Sequence, residues 1–401
     1  MRTLWISLFV FLLAGVPAHA QKLDPDVASL VQGNSDFATN LYQRLAEKET
    51  DKNLFFSPYS ISNALAMTYA GAKGNTAAEM KAMLRFQLEP KRLHPAFRKL
   101  ILELHGQGKP RPFQLAVANR LWGQKDYGFS PNFLKTGADF YLAGLEEVDF
   151  INNTEESRKA INAWVEKQTK DKIKNLIPPG VLNQDSRLVL TNAIYFKAVW
   201  MTPFNVKQTK PGPFHLTGGK AVTVPMMHAN QSMRFADHKN FSILEMPYVK
   251  HEQSMIVLLP KAKTGLGDVE KQVTATNLTQ LLTKAFTHSV DLRFPKFKVA
   301  AEFKLNDLLQ KMGMKDAFTQ GKADFSGMAT REKLHITAIL HKAFVDVNEA
   351  GTEAAASTAI AIGTFSLPPP ATFHADRPFL FLIRDNRTGS ILFLGRVVNP
   401  S

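Results

Sequence analysis

Apolar positions change their spacing along the chain, and the change predicts helices in the first half and strands in the second. Phe37, Leu41 and Leu45 recur every fourth residue, which is the spacing of a helix that buries one face. After about residue 186 the apolar residues form short continuous runs, which are typical of buried strands. These runs occupy 188–190, 255–259, 344–347, 379–383 and 391–394. Helices followed by strands without regular alternation predict an α+β domain with mixed or antiparallel sheets.

Capping and turn residues predict where these elements begin and end. Asn34-Ser35 precedes the first apolar stripe, Ser57-Pro58 combines a cap with a first-turn proline, and Asn153-Thr154 is followed by two glutamates. We therefore expect a helix to start at each of the three sites. The polar stretch Asp385–Gly389 separates the last two apolar runs and predicts a hairpin turn.

The first twenty residues have the pattern of a secretory signal. Arg2 precedes the apolar run 4–13, and the small-residue triplet Ala18-His19-Ala20 follows it. The run is shorter than the roughly 20 apolar residues that a membrane span needs. We predict cleavage after Ala20, a single domain over residues 21–401, and a secreted, extracellular product without a membrane anchor. In a Gram-negative host the product would be periplasmic.

The amino-acid composition excludes some kinds of site and favours others. The 401 residues include no cysteine, so disulfides, thiolate metal sites and cysteine nucleophiles are excluded. The 49 Lys and Arg exceed the 35 Asp and Glu by 14, which favours attraction to polyanions without identifying one. Glycosylation sequons matter only if the host glycosylates, and they occur at Asn152, Asn230, Asn277 and Asn386.

Motifs for catalysis, metals and cofactors are incomplete. His251-Glu252 lacks the second histidine of a zinc protease motif, and no G-x-S-x-G elbow is present. Gly265-Leu266-Gly267 lacks the third glycine of a dinucleotide loop, and Gly218-Gly219-Lys220 lacks the remainder of a phosphate loop. We therefore predict no enzyme activity, no metal and no cofactor.

Residues 351–370 have an unusual composition of small side chains closed by three prolines. Two alternating sets of side chains fit this stretch better than a helix turn at 354–356, and one set runs from Thr352 to Ile362. Phe365 is the large aromatic at the end, and the prolines after it cannot donate ladder hydrogen bonds. The stretch is predicted to be a half-buried strand with an exposed aromatic tip.

Five separated segments resemble the serpins, in the order in which that family carries them. The matching segments are 53–61 (Asn-Leu-Phe-Phe-Ser-Pro-Tyr-Ser-Ile), 190–197 with Trp200, 224–227 (Val-Pro-Met-Met), 341–353, and 376–379 with 395–400. The chain is identified as a member of the family over nearly all of residues 21–401. The resemblance implies the serpin fold, with helices around a large central mixed sheet and smaller sheets, and an exposed reactive-centre loop at about 350–376.

The resemblance also implies a mechanism. Inhibitory serpins offer the loop to a serine protease, form an acyl-enzyme, and then insert the cleaved loop into the large sheet as a new strand. Moving residues 352–364 would span on the order of 45 Å. The hinge that begins this movement matches Glu349, Gly351, Thr352, Glu353, Ala354, Ala355 and Ala356. Thr352 and the alanines 354–356 are compact, which favours inhibition over the alternative, a non-inhibitory serpin that acts in binding, storage or as a chaperone.

The reactive bond is placed by counting from the hinge. In inhibitory serpins it usually follows the residue fourteen beyond the hinge glycine, which here predicts the bond Phe365-Ser366, with Ile362, Thr364 and Leu367 as alternatives. An aromatic side chain suits the deep apolar pocket of chymotrypsin-like proteases and is also accepted by subtilisin-like proteases. No Lys or Arg lies in 351–370, which disfavours trypsin-like targets.

Further family positions carry over individually. The polar shutter beneath the central strands matches Ser57, Ser60, Asn192 and His341, and the breach where insertion begins matches Trp200 and the ion pair of Lys296 with Glu349. A polyanion site on one helix, known in some serpins, would involve Lys91, Arg92, Arg98, Lys99, Lys109 and Arg111. We expect a monomer with a serine protease as partner, and neither nucleic acid nor membrane binding.

Overall fold

The fold is an α+β arrangement of helices packed around two sheets. The computed structural model describes residues 23–106, 108–329, 334–352 and 370–401. The α-helices of these residues are α1 Pro25–Lys48, α2 Pro58–Tyr69, α3 Gly74–Met83, α4 Pro90–His105, α5 Pro131–Tyr141, α6 Thr154–Gln168, α7 Leu266–Gln272, α8 Ala275–Thr283 and α9 Asn306–Lys311.

The strands follow the same chain order. They are β1 Leu54–Phe56, β2 Phe113–Gln124, β3 Leu145–Val148, β4 Leu188–Val199, β5 Lys210–His215, β6 Ala221–Asp237, β7 Phe241–Pro247, β8 Gln253–Pro260, β9 Phe286–Pro295, β10 Phe297–Lys304, β11 Ala338–Asn348, β12 Gly351–Thr352, β13 Ala371–His374, β14 Phe379–Asp385 and β15 Ile391–Val397. Short 3-10 helices occupy Val206–Gln208, Val249–His251 and Asp316–Phe318.

Two of the three predicted helix starts are confirmed. The Ser57 hydroxyl accepts the amide hydrogen of Ser60 at the start of α2, and α6 begins at Thr154. The start predicted at Asn34-Ser35 is wrong, because α1 begins nine residues earlier than Asn34, at Pro25, and is capped by Asp24. Ser35 lies inside the helix, where its hydroxyl donates to the carbonyl of Val31 instead of capping.

Six of the described strands form a mixed sheet in the order β10-β11-β12-β4-β2-β3. The prediction of a mainly helical first half missed β2, a central strand of this sheet. Five residues at its start are only half-buried, and Gln114, Asn119 and Arg120 interrupt the apolar pattern. The strand forms because it pairs with β4 over eleven residues, an interaction between distant parts of the chain that local periodicity does not report.

The other described strands form a nine-stranded sheet. Eight of them lie in the order β1-β15-β14-β8-β7-β6-β9-β13. The ninth, β5, pairs with the first six residues of β6, from Ala221 to Met226. The predicted hairpin at Asp385–Gly389 is confirmed, because it joins the antiparallel strands β14 and β15. The long strands β6 and β9 were not predicted, since polar residues occupy their exposed face and no continuous apolar run results.

Packing buries the central strands of the six-stranded sheet on both faces, whereas alternate residues of the edge strand β10 are exposed. All twelve residues of α2 are buried behind the sheet. On the opposite face, α6 covers β2, β4 and β11 through a separate apolar cluster that includes Trp122, Ile161, Val165 and Leu340. No helix among the residues described is long and apolar enough to cross a membrane.

Candidate loop insertion site

A two-residue strand lies between the two central strands of the six-stranded sheet. Over most of their length β4 and β11 pair directly and in parallel, from Val189 opposite Ala338 to Tyr195 opposite Phe344. Beyond that point they separate, and β12 occupies the space between them. Thr352 is paired antiparallel with Ala198 on one side and with Val347 on the other. The start of the predicted loop is therefore already a strand of the sheet, whereas we expected residue 352 to move from solvated loop.

Gly351 is required by close packing against β4. An added Cβ would lie 2.1 Å from the carbonyl oxygen of Ala198. Its φ of +153° is also a value that residues with side chains rarely adopt. A hinge at this position is therefore restricted to glycine by the neighbouring backbone.

Thr352 is fully buried against a pair of stacked aromatic rings. Its hydroxyl lies 2.7 Å from the hydroxyl of Tyr248, whose ring stacks on Trp200 with centroids 4.5 Å apart. The Trp200 indole donates to the carbonyl of Asn348, and its backbone amide donates to the carbonyl of Ala350. Trp200 therefore holds the turn into β12 at two points, one through its indole and one through its backbone amide, and its predicted role at the point of insertion stays a prediction.

The predicted ion pair lies beside this turn. Lys296 Nζ is 2.9 Å from Glu349 Oε2, and the hydroxyl of Thr209 donates to Glu349 Oε1 over 2.8 Å. Burial of this carboxyl raises its pKa, but the hydrogen bonds from Lys296 and Thr209 outweigh that effect and hold the pKa of Glu349 below its ordinary value. Glu349 stays ionised and attaches the start of the hinge to the 3-10 helix region.

A buried row of polar side chains crosses the centre of the sheet. Asn119 on β2, Asn192 on β4 and His341 on β11 are direct neighbours in register. The Asn192 amide donates to Ser60 Oγ at 2.7 Å and to Asn119 Oδ1 at 2.5 Å, and its own oxygen accepts from His341 Nδ1. Ser57 joins this network, since its hydroxyl accepts from the backbone amide of Ser60 over 3.1 Å and donates to the carbonyl of Leu392 over 2.6 Å. The structure brings all four predicted shutter residues together.

His341 is held neutral by its surroundings. The backbone amide of Ser57 donates to His341 Nε2 over 3.1 Å, so this nitrogen carries a lone pair and Nδ1 carries the hydrogen. Complete burial lowers the pKa of His341 to about 3, although the contact with Asn192 opposes this effect. The hydrogen bond between His341 and Asn192 joins β11 to β4, and a strand inserted between them must break it.

Three residues of the site were not predicted. Asn119 was missed because β2 itself was missed, although a lone Asn within a run of apolar and small residues is a usable signal. Thr209 and Tyr248 lie in segments without a recognised motif, and the fold brings them to Glu349 and Thr352 from 140 and 104 residues away. The predicted hinge residues Glu353, Ala354, Ala355 and Ala356 and the bond Phe365-Ser366 lie outside the described residues.

Three of the six basic residues predicted to bind a polyanion form ion pairs with acidic residues of the same chain. Arg92 pairs with Asp26 at 2.5 Å, Lys99 pairs with Asp24 at 2.6 Å, and Arg111 pairs with Glu252 at 2.8 Å. Arg98 donates to the carbonyl of Asp139. Lys91 and Lys109 have no ion pair among the described residues. Polyanion binding at this surface stays a prediction, and fewer unpaired positive charges support it than the sequence indicated.

Comparison with known proteins agrees with the observed fold. Residues 32–400 match the family model Serpin (serine protease inhibitor). The chain is 42% identical over 380 residues to leukocyte elastase inhibitor A of Mus musculus, covering 92% of this chain and 99% of that protein. It is 41% identical over 378 residues to serpin B8 of Homo sapiens, covering 92% and 99%.

Solved structures show the same architecture. Human thyroxine-binding globulin superposes with a TM-score of 0.86 at 34% identity, covering 94% of this chain and 100% of that one. Uncleaved ovalbumin superposes with a TM-score of 0.84 at 28% identity, covering 93% and 100%. The chain belongs to the serpin family of serine protease inhibitors. It has the serpin fold, and it is an inhibitor-family protein rather than an enzyme.

Proposed function

We propose that the protein inhibits chymotrypsin-like or subtilisin-like serine proteases as a suicide substrate, by inserting its cleaved loop between β4 and β11. The observation that carries this proposal is β12, which already occupies the upper end of that space. Its register with both neighbours is defined, so it determines where each following residue would lie if the strand continued.

If β12 continued along the sheet, its pairing with β4 and its pairing with β11 would agree with each other. Continued residue by residue, Ala355 falls opposite both Tyr195 and Phe344, which are themselves partners in the intact sheet. The same agreement persists to Ala361, which falls opposite the pair Val189 and Ala338. The nine residues 353–361 would therefore fill the space over about 30 Å. They would replace one parallel ladder by two antiparallel ladders, and antiparallel pairing is slightly more stable per residue.

The projection also gives the polar row a partner in the inserted state. Thr358 would lie opposite both Asn192 and His341, on the same face of the sheet as Thr352. Its hydroxyl can donate and accept, so it can replace the hydrogen bond that insertion breaks between Asn192 and His341. The small side chains from Ala354 to Ala356 enter first and require little displacement of the surrounding core.

Phe365 supports the proposed target class. Its aromatic ring suits the hydrophobic slot of a chymotrypsin-like enzyme, whereas the specificity pocket of elastase is small. Relatives named leukocyte elastase inhibitors support a serine protease as the partner and leave the preferred residue open. We therefore place chymotrypsin-like targets ahead of elastase for this chain.

The alternative is a non-inhibitory serpin, since thyroxine-binding globulin has the same fold and, by its name, binds thyroxine. The experiment is incubation with chymotrypsin, subtilisin, elastase and trypsin in parallel, followed by denaturing electrophoresis and mass analysis of the nicked chain. We expect a covalent complex with chymotrypsin or subtilisin and cleavage after Phe365. Release of a cleaved chain and fully active protease in every case would overturn the inhibitory proposal.

We also propose that residues 1–20 direct export and are removed. The apolar run and the Ala18-His19-Ala20 site support this proposal. N-terminal sequencing of the protein recovered outside the cytoplasm should begin at Gln21. Retention of Met1 in the recovered protein would contradict export through this segment.

A further inference from the structure

A cationic cavity lies beside the nine-stranded sheet, and no residue of β4 or β11 lines it. Its volume is about 520 Å³, which lies in the size range of small-molecule sites. The floor comes from β6, β9 and β13, and one wall comes from residues 207–213 of the 3-10 helix and β5. Its charged and titratable lining residues are Lys207, Lys210, His228, Arg293, His374 and Asp376.

Three basic side chains form a row across the floor. Arg293 on β9 is directly opposite His228 on β6 and directly opposite His374 on β13. Residues opposite one another on neighbouring strands point to the same face of a sheet, so Arg293 and the two histidines share one face.

The two histidines already share one carboxylate. His228 Nε2 is 2.9 Å from Asp291 Oδ1, and His374 Nε2 is 3.0 Å from Asp291 Oδ2. Burial raises the pKa of Asp291, but these two hydrogen bonds outweigh burial and hold the pKa below its ordinary value. Asp291 therefore stays ionised, and both of its oxygens are engaged by histidine.

The remaining cations of the cavity have no such partner. Lys207, Lys210 and Arg293 make no ion pair with any residue that the structure describes. Asp376, the acidic residue on the cavity wall, pairs with Arg377 at 2.7 Å. The cavity therefore holds three uncompensated positive charges directed from two sides into one concave space.

We propose that this cavity binds a small oxyanion ligand, either a phosphate compound or a sulfate ester, that carries at least two negative charges. Arg293 would bind the anion in bidentate fashion, and Lys207 with Lys210 would close over it from the opposite wall. The ligand would make contact with the floor and the wall together, and neither alone presents all three charges.

The cavity also touches segments at both ends of the predicted loop. Strand β13 occupies Ala371–His374, so the end of the predicted loop, which was placed at about residue 376, is already a strand of the sheet. Lys207 and Lys210 flank Thr209, which donates to Glu349 at the start of the hinge. A ligand that joins these segments should change the rate of loop insertion. This consequence rests on the proposed inhibitory function, whereas binding itself does not.

The test is calorimetric titration of the intact protein with two probes, inorganic pyrophosphate and sucrose octasulfate. Binding of either supports the proposal and identifies the phosphate or the sulfate class. We expect Arg293→Gln to weaken binding at least tenfold, and the double variant Lys207→Ala/Lys210→Ala to do the same if Arg293→Gln fails to fold. Raising the salt concentration should also weaken binding, because the contacts are partly exposed.

Two further variants separate this cavity from other basic surface. Lys159→Ala/Lys167→Ala removes two exposed lysines of α6 and should leave the affinity unchanged. Lys91→Ala/Lys109→Ala removes the two unpaired lysines near α4, and a tenfold loss there would place the ligand on that helix and overturn the assignment. Absence of heat with both probes, or unchanged affinity in the Arg293 and Lys207/Lys210 variants, would also overturn it. Because the readout is binding, failure here leaves the inhibitory proposal intact.

Discussion

Replacing Thr352 by arginine should convert the inhibitor into a substrate. The Thr352 side chain is fully buried beside Tyr248 and Trp200, in the space where insertion begins. A guanidinium at this position would lose water and gain no carboxylate, which costs several kcal/mol. Because residue 352 is already buried in the intact chain, the arginine should first displace β12 from the sheet, and insertion must then bury the guanidinium. If about 3 kcal/mol of that cost falls on the barrier to insertion, insertion slows about 150-fold.

The slower insertion sets the fraction of acyl-enzymes that is trapped before deacylation. If the natural chain traps about nine of ten acyl-enzymes, insertion is about ninefold faster than deacylation, and a 150-fold slower insertion leaves about one in twenty trapped. The assay is titration of chymotrypsin with each variant, measuring residual protease activity and the covalent complex after denaturing electrophoresis. The natural chain should approach one inhibitor per protease, and Thr352→Arg should need many.

Two control variants separate the effect of a buried charge at position 352 from the effects of losing the threonine hydroxyl and of adding an arginine elsewhere. Thr352→Val removes the hydrogen bond to Tyr248, which is present before cleavage as well as after insertion. Its loss should lower the stability of both states by about 1 kcal/mol and leave the trapped fraction close to that of the natural chain. Thr217→Arg places the same charge on an exposed turn between β5 and β6 and should inhibit normally. A near-stoichiometric complex with Thr352→Arg would refute the proposed insertion through this position.

Phe365→Arg should redirect inhibition from chymotrypsin to trypsin, and a retained chymotrypsin preference would mean that the reactive bond lies elsewhere. Cleavage of the loop should raise the melting temperature, because insertion adds a full strand; an unchanged value would indicate a serpin that does not insert. Thr358→Val should lower the melting temperature of the cleaved form and leave that of the intact form unchanged, and equal effects on both forms would contradict the projected register. The folded-state pKa of His341, about 3, lies below its unfolded value of about 6.5, so the stability contributed by neutral His341 is complete above pH 6.5 and is lost as the pH falls toward 3. Urea unfolding at pH 7 and 5 should show a loss of about 2 kcal/mol that His341→Gln does not show, and an equal loss in both proteins would count against this assignment.

The residues of the site were accessible from sequence to different degrees. Ser57, Ser60, Asn192 and His341 lie within contiguous motifs, so a resemblance to the family identified them, and the structure places them in one network. Asn119 belongs to the same polar row, but its strand has an irregular apolar pattern and was not predicted. The shutter residues were recognisable because they lie within family motifs, whereas the one local signal for Asn119 is an isolated amide after the run 115–118 of apolar and small residues.

For the basic residues, the sequence indicated a surface that the fold does not leave available. From the sequence, Arg92, Lys99 and Arg111 looked like a cluster available to a polyanion, but each one has an acidic partner from a distant segment. Arg293 carried no signal at all, and the register of three strands places it between two histidines. Charge counts report how many charges a chain has, whereas pairing depends on which segments the fold brings together.

Local sequence is enough to predict the starts of α2 and α6, the last hairpin, the small-residue hinge and the order of the family motifs. Each of these depends on residues within a few positions of one another, where backbone geometry and side-chain size act directly. The tertiary structure alone decided that Thr352 is already inside the sheet, because that depends on the separation of β4 from β11 beyond Tyr195 and Phe344. Long-range strand pairing sets that separation, and the energy of pairing is shared between segments that are distant in the chain.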